Sequence, residues 1–132
     1  MPNNLNVTLD TGTSPSAVDV DQHGKDNEVS QGPDAQTITW QLTGNAASGS
    51  FVPMTDSAPG FQWISAPPDG IFGTPTVSEG SGNQLTLTDL NTGTSTQGSW
   101  TYILRINVGG TVYSTKTTSL RATTTNPVII NK

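Results

Sequence analysis

Polar and apolar residues alternate along most of this chain, and no window has the apolar spacing of a helix face over three turns. The stretch from Gln36 to Thr43 is the clearest, because Ile38, Trp40 and Leu42 share one face of it. Successive side chains of a strand point to opposite faces of a sheet. The pattern therefore predicts a strand with one buried face. A longer strand is predicted at 99–108, with five apolar residues on its buried face: Trp100, Tyr102, Leu104, Ile106 and Val108.

Shorter alternating runs, bounded by turn residues, predict further strands at 5–9, 17–21, around 29, and at 61–64, 84–90 and 126–130. Gly109-Gly110 is a two-residue turn that predicts a hairpin between the long strand and residues 111–117. About eight or nine strands at intervals of roughly 8–12 residues are typical of a sandwich. We therefore predict one all-β domain over residues 1–132, an antiparallel two-sheet sandwich of the immunoglobulin-like kind, with a cupredoxin-like sandwich as the alternative.

The charge of the chain narrows the possible partners. Five basic residues against ten acidic ones give a net charge of −5, and the basic residues are scattered. Phosphate backbones and anionic membranes are bound by clustered Lys and Arg, so we expect no nucleic acid and no membrane partner. The first residues form neither a basic nor an apolar leader, so no signal peptide is expected and the cytoplasm is the default location. With no cysteine, disulfides and zinc–thiolate sites are excluded.

Seven segments, in this order, resemble the DP-EP family, a group of small bacterial proteins of unassigned function: Gln36–Leu42, Phe51–Pro53, Phe61–Trp63, Ile71–Phe72, Leu85–Asn91, Gly98–Tyr102 and Asn126–Lys132. The resemblance spans most of the chain. It implies an immunoglobulin-like sandwich and brings no activity with it. The family pattern would place Asp before the C-terminal proline, where this chain has Asn126.

Two broader resemblances concern the same fold class. The segment from Leu85 to Trp100 is similar to the region before strand F of immunoglobulin domains, where an aromatic residue occupies the corner between sheets. The strand that contains Trp40 looks like an early strand of a cupredoxin. A blue-copper site needs two His, a Cys and usually a Met. This chain has one His and no Cys, so copper chemistry is excluded.

The acidic stretch between residues 19 and 28 resembles the start of a calcium loop, since Asp19 and Asp21 alternate before His23-Gly24. The fifth loop position holds His instead of Asp or Asn, and the twelfth holds Ser30 instead of Glu, so the loop is not an EF-hand. A different calcium site remains possible, with four carboxylates as candidate ligands: Asp19, Asp21, Asp26 and Glu28. The alternative is a hairpin whose outward residues are acidic.

Other candidate sites are weaker. The tryptophans lie in phase with aliphatic residues and are expected in the core, which leaves Tyr113 and Phe51 as the candidate exposed aromatic residues for a ligand such as a carbohydrate. Four loop carboxylates could include the pair that a glycosidase needs: Asp56, Asp69, Glu79 and Asp89. Turn and cap roles explain them better. We therefore expect no catalytic residues and no enzyme activity.

The absence of an assembled catalytic set favours a non-catalytic binding or protein-interaction module. Edge strands of a sandwich pair readily, so an unknown protein partner or self-association through an edge strand is expected. A carbohydrate- or calcium-binding module is the alternative, and a small hydrolase that uses loop carboxylates is a further one. No cofactor is expected beyond the possible calcium.

Overall fold

A computed structural model describes residues 4–11, 17–20, 27–115 and 127–132. The described residues form eleven strands: β1 (Asn4–Asp10), β2 (Ala17–Val20), β3 (Asn27–Val29), β4 (Gln36–Leu42), β5 (Ser50–Phe51), β6 (Phe61–Trp63), β7 (Thr76–Val77), β8 (Gln84–Asp89), β9 (Gly98–Val108), β10 (Thr111–Ser114) and β11 (Val128–Asn131). Two short 3-10 turns lie at Gly44–Ala46 and Thr94–Thr96. No helix in these ranges has the length and apolar character needed to cross a bilayer.

The first sheet has the strand order β2-β1-β4-β8-β7. Its centre is β4, which pairs antiparallel with β8 so that Trp40 lies opposite Leu85 and Ile38 lies opposite Leu87. On its other side β4 pairs in parallel with β1. The alternation of β4 therefore buries one continuous apolar face across three neighbouring strands.

The second sheet is built around β9, which pairs with β10, β11, β6 and β5. The backbone groups of successive β9 residues form hydrogen bonds to segments on opposite sides of the strand. Tyr102 N donates to Pro127 O and Thr115 N donates to Leu104 O on one edge, while on the other Arg105 N donates to Gly60 O and Ile64 N donates to Thr101 O. β10 and β11 therefore lie end to end along one edge of β9, and β3 pairs in parallel outside β11.

The all-β two-sheet sandwich predicted from the alternation is confirmed. The inward faces of both sheets supply one core, in which Trp40 is completely buried and Leu104 and Ile106 face it from β9. Trp100 is also buried, as predicted. Trp63 is only half-buried and packs against the edge of this core. The strand at 17–21 was predicted one residue longer than β2, and Asp21 lies outside the described residues.

The two sheets are joined at the core by aromatic contacts. The rings of Trp40 and Tyr102 meet edge to face at 5.4 Å between centroids, and Phe61 stacks on Tyr102 at 5.0 Å. Trp40 Nε1 donates a hydrogen bond of 3.0 Å to the Tyr102 hydroxyl, across the gap between β4 and β9. Burial raises the pKa of the Tyr102 phenol, so the hydroxyl stays protonated and accepts this bond. One buried polar contact therefore links the two sheets.

Removing the Tyr102 hydroxyl is expected to destabilise the domain. Tyr102→Phe keeps the ring but leaves the buried indole N–H of Trp40 without an acceptor, which costs about 1–3 kcal/mol. Urea unfolding followed by tryptophan fluorescence measures this loss. Tyr113→Phe is the matched control, since that side chain is half-buried and has no such buried partner. Equal midpoints for the Tyr102→Phe variant and the parent chain would contradict the expectation.

Candidate functional site

The hairpin predicted between the long strand and residues 111–117 forms, with β10 ending at Ser114, and residues 116 and 117 lie outside the described residues. Gly109 and Gly110 have φ angles of 61° and 87°, the left-handed conformation that a two-residue hairpin turn requires and that glycine adopts without strain. Gly110 N also donates to Asn107 Oδ1 at 3.1 Å. The turn sets the register, in which Thr111 lies opposite Val108 and Ser114 lies opposite Arg105.

The register decides which backbone groups of β10 point away from β9. Thr115 N donates to Leu104 O at 3.0 Å, so these two residues form a hydrogen-bonded pair. In an antiparallel ladder such pairs alternate with pairs whose N–H and C=O groups point outward. Two residues back from Thr115, Tyr113 bonds to β9 again. The N–H and C=O groups of Val112 and Ser114 therefore point to the outer edge, where no described strand pairs with them.

The side chains of β10 leave that outer edge uncharged. Val112 is 54% exposed, the highest value among the exposed large hydrophobic residues, and Thr111 and Ser114 are also exposed. Protected edge strands usually carry a Lys, a Pro, a bulge or an inward charge. β10 has the sequence Thr-Val-Tyr-Ser and carries no charge or proline. β2 of the other sheet lies near β10 but shares no ladder with it.

The two aromatic residues predicted to be exposed have different positions. Phe51 is 2% exposed and belongs to the core, so the prediction that it is exposed was wrong. β5 pairs with β9 so that Phe51 lies opposite Ile106, and its ring faces the core. Tyr113 is half-buried and packs against the core from β10. The Phe51 ring therefore has no open face for a sugar, whereas ligand binding by Tyr113 stays a prediction.

The candidate calcium ligands are only partly within the described residues. Asp21 and Asp26 lie outside them. Asp19 is on β2 in the first sheet, and Glu28 is on β3 in the second sheet. The Glu28 carboxylate forms an ion pair with Lys132 Nζ at 3.2 Å. Within the described ranges no three His, Cys, Asp or Glu side chains come together. Calcium binding by these four carboxylates stays a prediction.

A cluster of buried polar side chains was not predicted. It lies where β8 and β11 end, and its members are Asp89, Asn91, Thr96 and Asn131. Asn91 Nδ2 donates to Val29 O at 2.8 Å and to Lys132 O at 3.1 Å. The Thr96 hydroxyl lies 2.8 Å from Asn91 Oδ1 and accepts from the backbone N–H of Gly93. Asn91 thereby ties the short strand β3 to β11 and to the turn at Thr94–Thr96.

Asp89 and Asn131 form the centre of this polar cluster. Asn131 Nδ2 donates to Asp89 Oδ1 and to Thr96 O, both at 2.9 Å. Burial raises the pKa of the Asp89 carboxyl to about 6, and the hydrogen bond from Asn131 opposes that rise without cancelling it. A raised carboxyl pKa is typical of a general acid, but Asp89 is 0% exposed and cannot contact a substrate. The cluster is therefore a structural element in this conformation.

The carboxylates considered for a hydrolase do not share an environment. Asp89 is the last residue of β8 and not a loop residue, so its assignment to a loop was wrong. Asp56, Asp69 and Glu79 are exposed and lie in separate connections between strands. Asp56 Oδ1 accepts a hydrogen bond from Ala58 N at 3.1 Å, which is a turn role.

Comparison with protein-family models, with curated proteins and with solved structures finds no match to this chain. Of the surfaces described above, the outer edge of β10 has backbone groups that no described strand pairs with, an exposed aliphatic side chain and no charge on its own four residues. It is the candidate functional site.

Proposed function

We propose that this domain is a non-catalytic interaction module that associates with a second copy of itself through the outer edge of β10. The observation that carries the proposal is the pair of outward-facing residues Val112 and Ser114 on an uncharged end strand. Their N–H and C=O groups present the pattern that an added antiparallel strand satisfies.

A second copy of the chain fits this edge for a geometric reason. When two identical strands pair antiparallel about a twofold axis, a residue before the axis in one copy lies opposite the residue equally far beyond it in the other copy, and the reverse pair forms as well. An axis through Tyr113 places Val112 of one copy opposite Ser114 of the other, and the ladder gains about four backbone hydrogen bonds. The register is the same from either side, so one surface serves both copies.

Charge supports the same choice. The chain carries a net charge of −5, so contacts between most pairs of identical surfaces bring like charges together. A contact between two copies of Thr111–Ser114 brings none together. The pairing covers four residues a side, which is far less than a standard protein interface. The dimer is therefore weak, and the fraction of chains in it rises with protein concentration.

The non-catalytic part of the proposal is supported by the carboxylates. Asp89 is buried away from any substrate, while Asp56 and Asp69 are exposed on separate loops. The immunoglobulin-like assignment and the resemblance to the DP-EP family stay predictions. Both are compatible with an interaction module, since sandwich domains often use edges and loops for recognition.

Proline at position 112 is expected to abolish dimer formation. Val112→Pro removes the outward N–H donor and leaves the hydrogen bonds between β10 and β9 intact, because the position 112 amide does not bond to β9. Sedimentation velocity over a wide range of concentrations is expected to show a monomer–dimer equilibrium for the parent chain. The variant is expected to sediment as a monomer throughout that range.

The matched control is Val112→Thr, which keeps the N–H group and the β-branched shape and is expected to dimerise like the parent chain. Unfolding midpoints of the variants, compared with the parent, show that each sandwich is intact. A parent chain that is monomeric at every concentration would contradict the proposal. So would a dimer that the proline variant retains.

A further inference from the structure

The Asp89–Asn131 pair contains two buried acceptors that have no partner. Asn131 Nδ2 faces two acceptors, Asp89 Oδ1 and Thr96 O, and this fixes which end of the amide is the nitrogen. Its other end, Oδ1, is buried and accepts no hydrogen bond, and Asp89 Oδ2 is in the same state. Asp89 Oδ2 shares its carbon with Oδ1, the acceptor of the existing hydrogen bond, and Asn131 Oδ1 shares its carbon with Nδ2, the donor.

One proton would satisfy both atoms. A carboxylic acid can donate from one oxygen and accept at the other, and an amide can accept at its oxygen and donate from its nitrogen. The acid form of Asp89 can therefore add a second hydrogen bond to the one that Asn131 Nδ2 already donates. In the ionised form the same atoms are two unpaired acceptors, one of them charged, away from water.

We propose that Asp89 and Asn131 form a proton-dependent latch, in which the Asp89 Oδ2 proton is donated to Asn131 Oδ1 and holds the end of β11 against the end of β8. Loss of that proton removes the second hydrogen bond and loosens β11. β3 follows, because it pairs with β11 and is tied to it through Asn91.

No charged partner in the described residues replaces the proton. β4, the bridge residues around Phe72 and residues 90–98 carry no ionisable side chain. On β11, Lys132 pairs with Glu28 of β3, and both are partly exposed. On β9, Arg105 donates to Pro59 O and to Gln62 Oε1. The remaining ionisable group of β9 is the neutral phenol of Tyr102, which is bonded to Trp40.

A bound cation is a poorer match for the two acceptors. Calcium takes six to eight oxygen ligands. Here the carboxylate and amide of Asp89 and Asn131 offer one free oxygen each, and Asn91 Oδ1 is already engaged by Thr96. A proton needs only the two atoms that are present.

Asp89→Asn tests the latch, because the new amide can donate to Asn131 Oδ1 at every pH. The pKa of Asp89 rises from 3.8 when unfolded to about 6 when folded, so its stabilising contribution is complete below the lower value and is lost as pH rises through the higher one. Between pH of about 4 and about 7.5, the folding equilibrium constant of the parent chain is expected to fall about a hundredfold relative to that of the variant.

Asp69→Asn is the control, since that carboxyl lies in an exposed turn, and it is expected to track the parent chain. A second measurement needs no variant: the carboxyl carbon of Asp89, followed by NMR in the parent chain, is expected to titrate near pH 6, with hydrogen-exchange protection of the β11 amides falling over the same interval. Titration of Asp89 near the ordinary Asp value would overturn the latch. So would an Asp89→Asn variant whose stability has the parent's pH response, or hydrogen-exchange protection of β11 that rises with added calcium instead of acid.

Discussion

Replacing Trp40 with alanine is expected to lower the free energy of unfolding by about 3–5 kcal/mol, a large share of the stability of an ordinary domain. Trp40 is 0% exposed and lies at the centre of the first sheet. Its ring contacts those of Tyr102 and Phe61, with centroids 5.4 Å and 5.5 Å away. Alanine leaves a cavity that rigid strands on both sides cannot close, and it also removes the hydrogen bond to the Tyr102 hydroxyl.

Urea unfolding followed by far-ultraviolet circular dichroism measures this loss, since the signal does not depend on the tryptophan removed. Trp63→Ala is the matched control. That side chain belongs to the same aromatic cluster but is half-buried at the rim of the core, so a smaller loss is expected. If the two variants lost equal stability, the central position assigned to Trp40 would be incorrect.

Asn91→Ala is expected to cost about 2–4 kcal/mol, although it removes only a small polar side chain. The amide nitrogen of Asn91 donates to Val29 O and to Lys132 O, and its oxygen accepts from the Thr96 hydroxyl. Without this amide, Val29 O and Lys132 O each lose a hydrogen-bond donor, and the Thr96 hydroxyl loses an acceptor. The strands that it ties together, β3 and β11, have only three and four residues, so little else holds them.

Asn91→Asp distinguishes the effect of the lost hydrogen bonds from the effect of the lost side-chain volume. Aspartate has nearly the same shape and keeps an oxygen for Thr96, but it replaces the donor to Val29 O with an acceptor. The variant is therefore expected to be at least as unstable as Asn91→Ala when measured by urea unfolding at neutral pH. Thr92→Ala, at the exposed neighbouring position, is expected to be close to neutral. Recovery of stability with aspartate would show that volume alone matters at this position.

The elements that the sequence predicts best are those with long alternation. β4 and β9 begin and end within one residue of the ranges predicted from their apolar faces, and the Gly109-Gly110 turn lies where expected. Period-two alternation gives the face and length of a strand directly. It does not give the strand's partner, so the parallel pairings of β1 with β4 and of β11 with β3 could not be predicted.

The polar cluster could have been found from the same periodicity. Asp89 is in phase with the buried residues Leu85 and Leu87, and Asn131 is in phase with Ile129. Continued alternation places both polar side chains in the core. Against this, Asp and Asn are most often found in turns and at the surface, so residue type alone argues against burial at both positions. Their mutual hydrogen bond, which makes the burial tolerable, depends on strand pairing and is not visible in the sequence.

The proposed association through β10 can be predicted from the sequence only in part. The sequence predicts a strand after the glycine turn and an edge strand as the means of association. It does not say which strand ends a sheet or which of its amides face outward. The first fact comes from the strand order, and the second from the register, in which Thr115 N donates to Leu104 O. Together they select the backbone groups of Val112 and Ser114 as those available for pairing.

Dilution of an isotopically labelled sample tests the proposed association most directly, because each backbone amide reports separately by NMR. Pairing through β10 predicts that the amide resonances of Val112 and Ser114 shift progressively on dilution, and that those of β7, at the end of the other sheet, stay constant. Resonances in β10 that do not change with concentration, or shifts confined to another surface, would contradict the account.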